Sequence, residues 1–229
     1  LDLLPIGDPA LATSLASASP GTFYDSREDR QLELEDLAAA LVNAGVVLLG
    51  EAHTDLEQKE FHAELLDAMA SIKPQLVLGM EFFQQPFQEH LDAFIAGEIT
   101  ERDMLRRTGY FERWRFDYRL YRPIVQFAKD KGIPILALNA SRELTSAIGR
   151  HGINDLPREL RDELPDSYDI SDKAYEAALR DVFAMHQRGD DDGAFNRFVE
   201  VQLTWDETMA QGVAEYLNAN PGGRMLVLA

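Results

Sequence analysis

Four short apolar runs predict the strands of a buried sheet. The runs are rich in Val, Ile and Leu without polar alternation, a pattern typical of strands that are covered on both faces. They are "VVLLG" (46–50), "LVLGME" (76–81), "IPILALN" (133–139) and "RMLVLA" (224–229). Segments with helical patterns separate them, as the connections of a parallel sheet require. We therefore predict an α/β fold in which a mostly parallel sheet is flanked by helices.

The helical segments also carry signals for where helices begin and end. Residues 31–45 have leucines at three positions of one helix face and end in glycine, which predicts an amphipathic helix with a C-cap. Thr54, with Glu57 three residues later, suits the N-terminus of the next helix. Pro123 suits the first turn of a later one.

The domain organisation follows from the lengths of these segments. Residues 1–21 include a small and polar stretch and are predicted to form a flexible leader. Residues 22–229 are predicted to form a single α/β domain with helical insertions near 84–131 and 141–220. The last apolar run reaches the final residue, so we expect the chain to be truncated at one edge of its own site.

Polar side chains follow the first three runs, at the edge where open α/β sheets bind ligands. The first run leads to Glu51 and His53, the second ends in Glu81, and the third ends in Asn139. Two carboxylates and an imidazole can bind a metal ion or act as general base and acid. A glutamate or asparagine at a strand end can equally cap the following helix. Both interpretations stay open here.

Three more residues are candidates for this strand-end pocket. His62 lies two and a half helical turns after His53, so the two residues do not share a helix face, and a structural role for His62 is favoured. Gln202 lies on the inward stripe of the segment "FVEVQLTWDETMAQGVAEYL", and Asp206 lies beside that stripe. Because buried polar side chains need partners, Gln202 and Asp206 are expected to reach the same pocket.

A basic aromatic segment, residues 102–122, contrasts with the rest of the chain. It holds seven arginines against three acids in a protein of net charge -18. Aromatic and arginine side chains recur there at helical spacing, which suits a flat apolar ligand that carries carboxylates. Equally, the aromatic side chains could form a core stripe while the arginines pair with the acidic surface. The candidates in this segment are Trp114, Arg115, Tyr118, Arg119, Tyr121 and Arg122.

Charge and composition exclude several classes of function. A net charge of -18 opposes binding to nucleic acid backbones and to anionic lipid headgroups. The absence of cysteine excludes disulfides, cysteine-based zinc sites and a cysteine nucleophile.

Five segments together resemble the ChaN-like family. They are "VVLLGEAHTDLEQKEFH", the "GMEFF" strand end, "WRFDYRLYRP", "LALNA" and "VQLTWDETMA", and the resemblance runs from about Thr22 to the C-terminus. The family comprises haem-binding lipoproteins linked to iron uptake, within a superfamily that includes the TIKI proteases and erythromycin esterases. The family pattern continues after the last strand with a Gly-x-Gly-His loop, which this chain does not reach.

The resemblance implies an α/β fold with a helical subdomain, haem bound where two subunits of a homodimer meet, and a lipid-anchored life at the outer membrane or periplasm. It also implies that Glu51, His53 and Glu81 belong to a strand-end site that performs the chemistry in hydrolytic relatives.

Two main hypotheses result, beside a third in which the protein is a scaffold or chaperone-like binder with no small ligand. In the first, the protein binds haem for iron acquisition with envelope haem-uptake components, and Tyr118 or Tyr121, or failing these His186, ligates the iron. In the second, Glu51, His53 and Glu81 form a hydrolase site, with or without a metal ion.

Overall fold

The structure, a computed structural model, describes most of the chain after the predicted leader. None of the helices in that part is long and apolar enough to cross a membrane. The predicted leader, 1–21, lies outside the described residues, which are 22–25, 28–73, 75–169, 171–186 and 192–229.

Four parallel strands form the central sheet, as predicted. A short antiparallel pair, β1 (Phe23–Asp25) and β2 (Arg30–Leu32), precedes them. The sheet strands are β3 (Val46–Leu49), β4 (Leu76–Gln84), β5 (Ile135–Asn139) and β6 (Arg224–Leu228). Their spatial order is β3-β6-β4-β5, and every neighbouring pair is parallel. The apolar runs therefore predicted the strands to within a few residues at each end.

Helices make up most of the remaining described chain. In chain order they are α1 (Leu34–Leu41), α2 (Leu56–Ile72), α3 (Gln88–Ile95), α4 (Glu101–Arg107), α5 (Tyr110–Arg113), α6 (Tyr118–Lys131), α7 (Arg142–His151), α8 (Arg158–Arg161), α9 (Lys173–His186) and α10 (Asp192–Ala219). Short 3₁₀ turns span Gln85–Phe87 and Ile153–Asp155.

The described chain divides into two compact units. The sheet unit contains residues 20–141 and 209–229, and the helical unit contains residues 142–208 of the described part. One face of the sheet is buried beneath α2 and α6, and the other packs against the last part of α10. In the helical unit, the rings of Phe183 and Phe195 lie 5.5 Å apart between α9 and α10.

Two local features shape the edges of the sheet. The register between β4 and β5 shifts between Met80 and Gln84, so Glu81 lies in an irregular part of β4 rather than at its end. On the outer edge of β5, the side-chain amide of Gln88 donates to the carbonyl of Ile135 at 2.8 Å and accepts from the N–H of Ala137 at 2.7 Å. Gln88 thereby pairs with backbone groups that a further strand would otherwise bind.

Four predictions about helices were wrong. The helix predicted over 31–45 spans only Leu34–Leu41, and Val42 rather than Gly45 is its C-cap, because β2 occupies the residues up to Leu32. Asp55, not Thr54, caps α2, because its side chain accepts a hydrogen bond from the Gln58 N–H. Pro123 lies inside α6 rather than at its start, in the second turn, where proline removes one helical hydrogen bond. Trp114 precedes α6, so the aromatic spacing from 114 to 121 does not represent one continuous helix face.

Candidate functional site

Glu51 lies two residues after β3 and is the centre of a buried polar cluster. Its side chain is completely inaccessible to solvent. One carboxylate oxygen, Oε1, lies 2.9 Å from Nδ1 of His53 and accepts a hydrogen bond from the Tyr121 hydroxyl, also at 2.9 Å. The other, Oε2, lies 2.8 Å from Nζ of Lys59. A buried carboxylate is costly unless it is paired, and these contacts supply the pairing.

Lys59 is the partner that the sequence analysis missed. Its side chain is only 3% exposed, and its Nζ also donates to the carbonyl of Ala52 at 3.0 Å. Oε2 of Glu51 accepts no aligned hydrogen bond, so the contact with Lys59 is an ion pair rather than a directed bond. Lys59 shares a face of α2 with His62, Leu66 and Met69. This alignment with the apolar positions of the helix could have indicated that Lys59 is buried.

His62 approaches the same carboxylate from α2. Its Nδ1 lies 3.7 Å from Oε2 of Glu51 and makes no hydrogen bond. Burial lowers the pKa of His62 to about 4, against the opposing attraction of Glu51, and Lys59 lowers it further. The imidazole is therefore neutral at neutral pH and belongs to the buried interior.

His53 is the member of the cluster that reaches the surface. Its side chain is 33% exposed, whereas that of Glu51 is buried. The His53 ring packs against Trp114, with centroids 4.8 Å apart, and against Phe116 at 4.6 Å. Because Nδ1 faces Glu51, the proton is assigned to Nδ1 and the lone pair to Nε2. No described residue forms a hydrogen bond with Nε2.

Further aromatic side chains pack against the rings that surround His53. Phe82 of β4 packs against Trp114 at 5.0 Å and against Tyr121 at 4.0 Å between ring centroids. His53, Trp114 and Phe116 form the outer part of this stack. Together with the exposed Arg115, which lies between Trp114 and Phe116 in the sequence, they form what we call the His53 surface. Sequence analysis selected all of them except Phe116, which showed no helical spacing with the other aromatic residues.

The two tyrosines predicted to ligate iron are both buried. The Tyr118 hydroxyl donates to Glu101 at 3.1 Å, and that of Tyr121 donates to Glu51 and, at 3.2 Å, to the carbonyl of His53. Burial raises the pKa of both phenols well above the ordinary value for tyrosine. Ligation by either phenolate therefore requires its hydroxyl to leave a carboxylate partner, and it stays a prediction.

The three predicted arginines differ in their partners. Arg119 forms an ion pair with Asp117, and Arg122 forms one with Glu101 at 3.0 Å. Arg115 is exposed, and its guanidinium has no partner among the described residues. Its backbone adopts φ of 73°, a left-handed conformation that non-glycine residues rarely adopt and that here joins α5 to α6.

The remaining predicted site residues are distributed over both units. Glu81 is half-buried in β4, and Asn139 ends β5 as a buried side chain whose Oδ1 accepts no hydrogen bond. Asp206 lies in the helical unit, where burial raises the pKa of its carboxyl and the Tyr175 hydroxyl donates to it at 2.6 Å. Gln202 lies in the same unit, one turn earlier on α10.

Two points on metal binding complete the site. His186 ends α9, and its side chain lies outside the described part of the structure. Within the residues that the structure describes, no group of three or more His, Asp or Glu side chains is arranged to hold a metal ion.

Two solved structures resemble this one. The structure resembles one reported as cofacial heme binding to ChaN of Campylobacter jejuni, with a TM-score of 0.70 and 19% identity over 91% of this chain and 78% of that one. It also resembles an erythromycin esterase, a mutant of EreC in its open conformation, with a TM-score of 0.49 and 12% identity over 85% of this chain and 62% of that one. A search of curated proteins gives no match.

A family model described as "Haem-binding uptake, Tiki superfamily, ChaN" matches residues 37–229. This match covers both units and includes Glu51, His53 and the basic aromatic segment. The chain therefore belongs to the ChaN family of the Tiki superfamily.

Proposed function

We propose that this protein binds haem and that the porphyrin contacts the His53 surface. The observation that carries the proposal is the partly exposed imidazole of His53, which a buried carboxylate holds between the rings of Trp114 and Phe116. A porphyrin is flat and largely apolar, so aromatic side chains suit its faces. Membership of a haem-binding family supports this choice of ligand over other flat molecules.

The charges around the His53 surface suit the propionates of haem. The protein as a whole is strongly acidic, with a net charge of -18, and would repel a carboxylate ligand over most of its surface. Arg115 lies between Trp114 and Phe116 in the sequence, and its exposed guanidinium has no partner among the described residues. Arginine binds carboxylates through paired hydrogen bonds. Arg119 and Arg122 would have to exchange Asp117 and Glu101 for a propionate.

Bound haem would supply an iron that a phenolate or an imidazole of this chain could ligate. The tyrosines Tyr118 and Tyr121, with His186 as second choice, stay the sequence-based candidates for this ligand.

A hemin titration followed by absorbance tests the proposal. We expect a saturable change in the Soret band, and we expect Trp114→Ala and Arg115→Ala each to weaken binding about tenfold. Arg158→Ala is the matched control, because Arg158 is an exposed arginine of the helical unit. If the wild-type protein shows no saturable change, or if the control weakens binding as much as Arg115→Ala, the proposal is wrong.

The wider role that we propose is haem or iron acquisition at the cell envelope. The family description includes uptake, which supports a protein that passes haem to envelope partners rather than one that uses it in catalysis. We propose a homodimer that is lipid-anchored at the outer membrane or located in the periplasm. Fractionation of cells that express the protein tests the location, and light scattering with and without hemin tests the dimer.

A second candidate function is hydrolysis at Glu51, His53 and Glu81. The observation in its favour is the hydrogen bond that orients His53, because an imidazole held by a carboxylate is a typical general base. Ester and peptide hydrolysis would then depend on His53, with or without an added divalent ion. Rates that are equal in the wild type and in His53→Ala would remove this candidate and leave the haem proposal intact.

A further inference from the structure

We propose that a cavity between the outer edge of β5 and the last part of α10 binds a small alkylammonium ion, that is, a protonated amine on a short apolar chain. The cavity has a volume of about 300 Å³, at the lower end of the range for small-molecule sites. Its lining belongs to the sheet unit, and β5 lies at the opposite edge of the sheet from β3. This site is therefore separate from the His53 surface and independent of the proposed haem binding.

Two glutamines form the wall of the cavity along β5. The side-chain amide of Gln88 donates to the carbonyl of Ile135 and accepts from the N–H of Ala137. The side-chain amide of Gln85 donates to the carbonyl of Leu138 at 3.3 Å. Both side chains are thus held by the backbone of β5, so this wall is organised before a ligand arrives.

Small and apolar residues keep the cavity open. Leu136 and Ala137 of β5 and Ala219 of α10 supply apolar surface to its lining. At Gly212 the helix carries no side chain, and a Cβ atom placed there would lie 3.1 Å from Nε2 of Gln85. A larger residue at position 212 would therefore project into the space that we assign to the apolar chain of the ligand.

The polar groups that stay unpaired in the lining are mainly hydrogen-bond acceptors. Glu215 accepts from Gln211 through Oε1 at 2.7 Å, and its Oε2 has no hydrogen-bond partner among the described residues. Asn220 donates through Nδ2 to the carbonyl of Tyr216 at 2.8 Å, and its Oδ1 likewise has no described partner. The hydroxyl of Tyr216, which can donate or accept, has none either. Glu215, Tyr216 and Asn220 all line the cavity.

The charge of the lining favours a cation. Among the described residues, Glu215 is the charged side chain of the lining, and no lysine or arginine joins it there. An ammonium group donates three hydrogen bonds and accepts none, so it matches a carboxylate, an amide oxygen and a phenol oxygen. An anionic ligand would be repelled by Glu215 and by the net charge of -18.

Titrations with hexylamine, 1-hexanol and hexanoate test the proposal, because the three molecules share an apolar chain and differ in charge. Two-dimensional ¹H–¹⁵N NMR of the protein follows the backbone amides of Ala137, Gly212 and Asn220. We expect saturable shifts of these amides with hexylamine at millimolar concentrations. Binding of 1-hexanol should be about tenfold weaker, and hexanoate should cause no saturable shift.

Two variants with matched controls locate the site. Glu215→Gln removes the charge that faces the ammonium group and should weaken hexylamine binding about tenfold. Glu98→Gln is its control, because Glu98 is exposed elsewhere in the sheet unit. Gly212→Leu fills the cavity and should abolish saturable binding. Gly149→Leu is its control, because Gly149 is an exposed helix glycine where a Cβ atom would meet Val201 at an ordinary 3.7 Å.

Circular dichroism shows whether Gly212→Leu is folded, and Glu215→Gln provides the test if it is not. Saturable shifts at the cavity that weaken in Glu215→Gln and persist in Glu98→Gln would support the site. It would be overturned by the absence of saturable shifts with hexylamine, by equal binding of 1-hexanol, or by unchanged binding in Glu215→Gln. None of these results depends on hemin, so failure of this site and failure of the proposed function are distinguishable.

Discussion

The buried and the exposed polar groups near the end of β3 differ in how they are paired. On the inner side, Glu51, Lys59 and Tyr121 pair polar groups in the interior. On the outer side, His53 and Arg115 keep an imidazole nitrogen and a guanidinium without described partners at a surface that water reaches. Buried polar groups must be paired, whereas exposed polar groups are hydrated and remain able to bind a ligand. We therefore expect inner substitutions to change stability first and outer ones to change binding first.

The largest effect should come from breaking the inner ion pair. In Lys59→Met, the carboxylate of Glu51 loses its cation while remaining buried, which should lower the free energy of unfolding by about 3–5 kcal/mol. Urea unfolding followed by circular dichroism measures the loss. Lys173→Met is the control, because Lys173 pairs with Glu176 while 78% exposed, and it should cost about 0–1 kcal/mol. Equal losses in the two variants would contradict the inner–outer distinction.

The next effect is a pH dependence that originates at His62. Its pKa is about 4 in the folded protein against an ordinary value of 6.5, so the unfolded chain takes up a proton first as pH falls. The contribution of His62 to the free energy of unfolding is therefore fully present above pH 6.5 and is lost as the pH falls toward 4. Its upper bound is ~3 kcal/mol. In His62→Gln this component should vanish, as urea unfolding between pH 7 and 4 would show. The same pH slope in wild type and variant would assign it to other groups.

A smaller effect should follow the loss of one hydroxyl. Tyr121→Phe removes the donor to the buried Glu51 and should cost about 1.5–3 kcal/mol. Tyr118→Phe is the matched control, because its partner Glu101 is 26% exposed and water can replace the hydroxyl, so we expect about 1 kcal/mol or less. Thermal unfolding of both variants measures the order, and a reversed order would show that burial of the partner does not set the cost.

The smallest expected effect concerns Arg115, on the exposed side of the site. Arg115→Gly relieves a left-handed backbone and should raise the free energy of unfolding by about 1 kcal/mol while weakening hemin binding. Arg115→Ala keeps the strain and should weaken hemin binding with stability changed by less than about 0.5 kcal/mol. Urea unfolding and hemin titration of both variants measure the two quantities. A loss of stability in Arg115→Ala would show that the guanidinium supports the fold.

The sequence predicted the sheet well because buried parallel strands leave a strong signal. Runs of Val, Ile and Leu have few alternative explanations, and all four predicted runs form strands. The helix ends were harder to predict, because neighbouring residues such as Thr54 and Asp55 are both good caps and tertiary contacts decide between them.

The candidate site was predicted only in part. Glu51 and His53 were found because strand ends carry ligands in this class of fold. Lys59 was missed because a lysine in a helix is exposed far more often than it is buried. Phe116 was missed because it reaches His53 from a loop, and loop conformation has no hydrophobic period to reveal it.

The edge of β5 carries a consequence for how the chain is made. Gln88 protects this strand by bonding to Ile135 and Ala137, and it precedes Ile135 by 47 residues in the sequence. During synthesis the protecting side chain therefore leaves the ribosome before the strand that it covers. An unprotected outer strand can recruit strands of neighbouring chains. In a cell that makes many copies at once, the order of synthesis itself would limit aggregation at β5.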